Sequence, residues 1–241
     1  KLQVKEVVSW NELIEGYTEY GHDCVALYAF EQMQLECILP DGGTLLSIFK
    51  SCTSLGAFKE GQLLHAQIVN EVSLETDIKI ATALVDMYGK FGALVKAQEV
   101  FDRLETKNVV SWNALIAGYS QYELGDKALN CFEKMKLCDS NPDELTFLSI
   151  LKACGSIGAL VKGQEIHAEV VKNGLLEKDI AIGNTLISMY VRCGALEKAQ
   201  EVFDKLPSQD VVSSTLLISG FNKLGESEGA LYCFEKTSFK S

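Results

Sequence analysis

Apolar residues return along this chain at helical spacing, in short stripes that come in pairs. Between Val109 and Asp143, Trp112, Leu115, Ile116 and Tyr119 fall at i, i+3, i+4 and i+7, so they share one face of a helix. Glu123-Leu124-Gly125 interrupts that stripe, and a second follows through Ala128, Leu129, Phe132 and Met135. Asn141-Pro142-Asp143 then stops the chain before the next helical stretch. Ser111 or Asn113 is expected to cap or begin the first helix of this pair. The following stretch gives Phe147, Ile150, Leu151 and Cys154, then Gly163, Ile166, His167 and Val170. The one after gives Leu186, Ile187, Met189 and Tyr190, then Ala199, Val202 and Phe203. Helix pairs therefore succeed one another without an intervening strand pattern.

The pairs repeat. VVSWNALIAGY at Val109 has a counterpart VVSWNELIEGY at Val7 and a weaker one, VVSSTLLISGF, at Val211, each 102 residues from the next. A fixed period marks a repeat array, in which each unit buries its apolar face against its neighbours. The period divides into units of 35, 36 and 31 residues: 7–41, 42–77 and 78–108, then 109–143, 144–179 and 180–210. A partial unit, 211–241, closes the chain and residues 1–6 form a flank. The expected fold is all-α, an αα-hairpin solenoid of about seven units, right-handed by analogy with other αα arrays. Gly118, Ala153 and Ala199 are small where helices must approach closely.

Composition narrows the function. The 241 residues include only three prolines, Pro40, Pro142 and Pro207, all near unit ends. No apolar run is long enough to cross a bilayer, and KLQVKEVVSW at the start is neither a signal nor a transit peptide. The chain reads as a fragment of something longer. Eight cysteines contain no CxxC pair, and Cys52 and Cys154 lie one period apart, so reduced thiols buried in a helical core are expected. His65 and His167 also lie one period apart. His167-Ala168-Glu169 matches the H-x-E of zinc deaminases, but no P-C-x-x-C follows, so a packing role is expected instead. No nucleophile, metal or paired-carboxylate constellation points to an enzyme, and no metal, cofactor, membrane or DNA is called for. The formal charge of −11 argues against a generic nucleic-acid binder and places the excess acid on a solvated face.

The pattern V-V-S-W-N-x-L-I-x-G-Y…A-L-x-x-F-x-x-M…P-D resembles the pentatricopeptide repeat. The alternation of 35, 36 and 31 residues resembles its plant PLS subclass, with P, L and S units. LKACGSIGALVKGQEIHAEVVKNGL at Leu151–Leu175 is similar to an L unit, and IGNTLISMYVRCGALEKAQEVFDKLPSQD at Ile182–Asp210 to an S unit. The resemblance implies a binder of single-stranded RNA in mitochondria or chloroplasts, reading one base per repeat. It further implies a specificity factor for C-to-U editing or other RNA processing, with multiple organellar editing factors docking on the L units. Whether a deaminase-like domain accompanies the array, and which transcript and organelle are served, is open from the residues. A protein–protein scaffold of tetratricopeptide type is the alternative, favoured by the acidic charge.

In that family the fifth residue of a unit faces the base and the last residue stands beside it. Carried over, the base-reading pairs are Asn11 with Asp41, Thr82 with Asn108, Asn113 with Asp143 and Asn184 with Asp210, with Thr215 in the last unit. The L units offer Leu46 with Asp77 and Leu148 with Asp179, and leucine cannot hydrogen-bond a base edge, so these are weak readers. The implied target is U-N-A-U-N-Y-R, 5′ to 3′ along the chain. The second residue of each unit packs on a base face: Val8, Val110 and Val212, Lys79 and Ala181, with Gly43 and Leu145 in the L units. At the thirteenth position, where the family places a phosphate-facing cation, stand Lys90, Arg192 and Lys223, whereas Glu19, Ser54, Gln121 and Ser156 do not fit. Trp10 and Trp112 fall within the apolar stripe and are expected to pack.

Overall fold

The computed structural model describes residues 2–68 and 77–238. Fourteen helices occupy these residues and pair into hairpins. The first seven are α1 (Leu2–Glu19), α2 (Asp23–Leu35), α3 (Gly42–Leu55), α4 (Phe58–Ile68), α5 (Ile78–Lys90), α6 (Leu94–Arg103) and α7 (Val109–Gln121). The others are α8 (Gly125–Leu137), α9 (Glu144–Ile157), α10 (Leu160–Lys172), α11 (Ile180–Arg192), α12 (Leu196–Lys205), α13 (Val211–Leu224) and α14 (Ser227–Ser238). Residues 69–76, inside the expected unit 42–77, and 239–241, at the end of the last, lie outside the described residues. The chain falls into two compact units, 1–118 and 119–241.

In the first unit α1 packs on α2 and α3, α3 on α4 and α5, and α5 on α6. The first helix of one hairpin thus meets the first helix of the next. Gly118 of α7 and Gly89 of α5 let two such helices touch backbone to backbone, since a Cβ on Gly118 would stand 3.0 Å from the Gly89 Cα. In the second unit α9 packs on α8, α10 and α11, and α11 on α12 and α13. The core follows the predicted stripes: Trp112, Leu115 and Ile116 are buried in the first unit, and Tyr119, Ala128, Phe132, Met135, Phe147, Ile150, Leu186 and Phe203 in the second. Leu129 is only half-buried. On the outer faces of the second unit, Lys136 pairs with Glu169 at 2.5 Å and Lys162 with Glu133 at 2.7 Å, linking the second helices α8 and α10. Such half-exposed pairs contribute about 0–1 kcal/mol each.

The same device joins hairpins in both units. Gly61 leaves room for the Met87 Sδ, and Gly163 for the Met189 Sδ. His65 Nδ1 lies 2.7 Å from the Tyr88 hydroxyl, and His167 Nδ1 2.8 Å from that of Tyr190. These histidines are therefore packing and hydrogen-bonding groups between hairpins. Burial first, then Lys205 and Lys198, lower the His167 pKa against a smaller opposing pull from Glu201. Burial pushes Tyr88 and Tyr190 up to about 12.

Helix α1 runs from Leu2 through the expected flank into the unit at 7–41. Other expectations need correction. The cap of α7 is neither Ser111 nor Asn113 but Asn108, whose Oδ1 accepts the Ser111 N–H at 2.9 Å. Ser111 Oγ accepts the Asn108 N–H in return at 3.1 Å, the reciprocal arrangement of a capping box. Not all cysteines are buried: Cys24, Cys37 and Cys138 are exposed, because Cys24 lies off the Ala26–Ala29–Phe30–Met33 stripe and the other two follow helix ends. Cys52 and Cys154 are core thiols, which burial pushes up to about 11 and about 12.

Candidate nucleic-acid interface

The candidate readers sit near the starts of the first helices, except Asn11 which lies within α1, together with the residue just before the next first helix. For α3, α5, α9, α11 and α13 that preceding residue is a helix cap. Asp41, Asp77, Asp143, Asp179 and Asp210 cap α3, α5, α9, α11 and α13 through their side chains. A carboxylate there satisfies N–H groups that the helix cannot, and favours the positive end of its dipole. The capping role follows from local sequence, since Asp is a favoured cap and the next residue begins an apolar stripe.

A carboxylate has two oxygens, and in two hairpins the second one holds an asparagine. Asp41 Oδ1 accepts the Gly43 and Thr44 N–H groups at 2.9 and 3.0 Å, while its Oδ2 accepts the Asn11 side-chain amide at 2.6 Å. Asp210 Oδ1 accepts the Ser213 N–H at 2.7 Å, while its Oδ2 accepts the Asn184 amide at 3.4 Å. The helix cap of one hairpin thus positions a polar side chain of the hairpin before it. Burial works to raise the Asp41 carboxyl, but the bonds from Thr44, Asn11 and Gly43 outweigh it and hold its pKa below the ordinary carboxylate value. Asp210 is lowered in the same way, burial being outweighed by Ser213 and Asn184.

The other fifth positions differ. Thr82 Oγ1 and Asn184 Oδ1 are buried polar atoms that find no hydrogen-bond partner among the described residues. Asn113 is buried in the first unit, and Asp143, within the second, caps α9 in a capping box with Thr146. Thr215 is exposed and its hydroxyl donates to the Val211 carbonyl at 2.6 Å. Leu46 and Leu148 are half-buried, with exposed Asp77 and half-exposed Asp179 used as caps toward Lys79, Ile80 and Ala181.

Three residues before each fifth position, on the same helix face, stand the second residues. Val8, Val110, Leu145 and Val212 are all about half or more exposed, at 49%, 62%, 62% and 54%. Lys79, Ala181 and Gly43 are exposed as well. Scattered exposed aliphatics are ordinary, but here the exposure recurs at one register position from hairpin to hairpin.

The thirteenth-position cations lie at the far ends of the first helices. Lys90 is exposed and pairs with Asp86 at 2.8 Å, and Lys223 is exposed. Arg192 reaches Glu123 at 3.1 Å, from the end of α11 to the turn after α7. Glu123 has φ +57, whereas its counterparts Gly21, Gly56, Gly92, Gly158, Gly194 and Gly225 fill the same left-handed position as glycines. An acidic side chain has taken a glycine's place and neutralises a candidate phosphate contact. Sequence reasoning missed this, although the break in the glycine register was visible.

The PPR repeat family profile matches residues 107–156, and the PPR repeat profile matches 80–109, 184–211 and 212–237. This chain belongs to the PPR repeat family. A chloroplastic pentatricopeptide repeat-containing protein of Arabidopsis thaliana is 38% identical over 230 residues, taking in 95% of this chain and 37% of its own length. A mitochondrial one from the same plant is 35% identical over 237 residues, taking in 98% of this chain and 37% of its own. The chain therefore spans little more than a third of the length of these PPR relatives. Among solved structures, PPR10 in complex with an 18-nt psaJ RNA element superposes with a TM-score of 0.83 at 20% identity, over 96% of this chain and 35% of that one. That likeness establishes the fold, an all-helical PPR hairpin array. Among the described residues, no helix is long and apolar enough to cross a membrane.

Proposed function

We propose that this chain is the RNA-reading part of a longer organellar PPR protein of the PLS type, non-catalytic in itself. It binds single-stranded RNA along the fifth unit positions of its first helices, one base per hairpin, with preference for U-N-A-U-N-Y-R. The observation that carries this reading is the pair Asn11–Asp41 and Asn184–Asp210: equivalent positions, 2.6 and 3.4 Å apart, each an amide held by the next hairpin's cap. A held amide has lost rotamer freedom before it meets a base, which is how a weak polar contact becomes selective. The exposed Val8, Val110 and Val212 supply apolar faces for bases to stack on. Aromatic stacking platforms contribute about 1–3 kcal/mol per base, and aliphatic ones less. Two PPR relatives are chloroplastic and mitochondrial, which supports an organellar setting, and PPR10 was crystallised with RNA. The array would place an editing or processing activity supplied elsewhere, with the L hairpins available to organellar editing factors.

The test is a change of letter. Asn113→Thr should move the preference at the fourth base from U toward G, measured by fluorescence anisotropy with heptamers differing only there. Unchanged preference at the fourth base would refute the register. Equal binding to all heptamers would instead favour a protein-binding scaffold of tetratricopeptide type.

A further inference from the structure

The two amide–carboxylate pairs are not alike, and the difference lies in a third residue. A carboxylate can only accept, so the Asn11 amide must turn its N–H to Asp41. Its Oδ1 then faces the hydroxyl of Thr44, which donates to it. Thr44 is almost wholly buried, at 1% exposed, and its own N–H is held by Asp41, whose Oδ1 also lies 3.2 Å from the Thr44 hydroxyl as a second and longer acceptor. Asn11 is held at both ends. At Asn184 the residue equivalent to Thr44 is Ser213, whose hydroxyl donates to the Asp210 backbone carbonyl at 2.9 Å. Asn184 Oδ1 has no partner among the described residues, and the amide's anchor to Asp210 is long, at 3.4 Å.

We propose that Thr44 is a specificity-determining residue of the first hairpin, fixing which way round the Asn11 amide meets a base. This rests on the base-reading function proposed above. Uracil presents an N3–H donor beside an O4 acceptor, and cytosine presents the reverse, an N3 acceptor beside an N4 amino donor. An amide serves either base, provided it can turn by 180° about its last torsion. For Asn11 that turn replaces the 2.6 Å bond to Asp41 with an oxygen set against its carboxylate, and makes the Thr44 hydroxyl accept the amino group and move its proton to Asp41 Oδ1, 3.2 Å away. For Asn184 the turn loses one long bond and sets Oδ1 against Asp210 at the longer distance of 3.4 Å, with no hydroxyl to rearrange. The first hairpin therefore discriminates U from C more sharply than the sixth, although both carry the same Asn and Asp. Thr44 touches no base in this arrangement and acts through Asn11, as a positioning residue.

The experiment uses the full chain and a U-N-A-U-N-Y-R oligonucleotide with adenine at each N. Anisotropy titrations compare U with C at the first base for wild type, Thr44→Val and Thr44→Ser, with U against C at the fourth base as an internal control. Thr44→Val removes the hydroxyl at nearly constant volume and should reduce the first-base U-over-C ratio about fivefold, the worth of one buried hydrogen bond. Thr44→Ser should keep the wild-type ratio, and the fourth-base ratio should stay constant throughout. A wild-type ratio retained in Thr44→Val overturns the proposal. So does a fourth-base ratio that falls in step, since that is general loss of structure. A wild type with no preference at either base sinks the base-reading function itself, a result distinct from both.

Discussion

Where helix starts are described, the first and second helices of the hairpins begin in opposite ways. The first helices α3, α5, α9, α11 and α13 start from an extended Asp whose side chain caps the backbone. The second helices α2, α6, α8, α10 and α12 start after His22, Ala93, Leu124, Ala159 and Ala195, none with a side-chain cap bond. Their entry is fixed by the backbone of the helix before. The His22 N–H reaches the Tyr17 carbonyl at 2.8 Å, and the Ala195 N–H the Tyr190 carbonyl at 2.9 Å, across a left-handed residue, as in a Schellman motif. The turn inside a hairpin is closed by backbone alone and leaves no side chain free to vary in meaning. The turn between hairpins is closed by a side chain with one oxygen to spare. The proposed base reading falls at the second kind of turn, where the capping carboxylates of Asp41 and Asp210 each have an oxygen beyond the cap.

Asp210→Ala should break the comparison most severely. It removes the cap of α13, at a cost of about 1 kcal/mol within the 0.5–2 kcal/mol range of such losses, and releases Asn184. Thermal denaturation reads the first effect and the U-over-A ratio at the sixth base reads the second. Loss of stability with base preference intact would separate capping from reading and refute their linkage.

Next in size is Glu123→Gly. Returning glycine to a left-handed position should stabilise by about 1 kcal/mol, as expected from the penalty on side chains there. The same change frees Arg192, so RNA affinity should rise and the salt slope steepen by up to about one unit. A lower midpoint would mean that the Arg192 contact outweighs the backbone strain.

A smaller effect is expected with pH. The folded His167 pKa lies below its ordinary value because burial disfavours the charged ring. The unfolded chain therefore takes up the proton first. Stability from this site is complete above about pH 6.5, the unperturbed value, and is lost as pH falls from there through the folded value. His167→Gln should flatten the stability profile between about pH 7 and 5, followed by urea titration. An unchanged slope would place the acid sensitivity elsewhere.

Smallest of all is Ala195→Ser. Ala195 has φ −98 and ψ 64, outside the extended region that a side-chain cap needs. Added cap chemistry should change stability by less than about 0.5 kcal/mol. A full cap's gain would show that the two helix starts are more alike than their geometry.

The hairpin array was legible in the sequence because helix periodicity and a 102-residue repeat are local and redundant: the Trp112–Leu115–Ile116 stripe and its copies each point to the same face. The proposed reading positions come from the family resemblance. What could not be read is how one side chain divides its bonds. Asp41 reads on paper as a cap or as a partner of Asn11, and only the geometry shows it bonding to both the helix start and Asn11. Asn108 was hidden as a cap because Ser111 and Asn113 compete for that role on paper, and only hydrogen-bond direction separates them. Thr44 and Ser213 look interchangeable as third helix residues, yet one hydroxyl points to an amide and the other to its own backbone. Glu123 hides for another reason: its partner Arg192 is 69 residues away.

The central claim, that capped amides and hydroxyls on the first helices read bases, is tested most directly by one titration. The chain is bound to labelled U-N-A-U-N-Y-R and to the same heptamer with A and U exchanged. The account predicts a preference for the first of at least about tenfold, or 1.4 kcal/mol. Equal affinity for the two would contradict it.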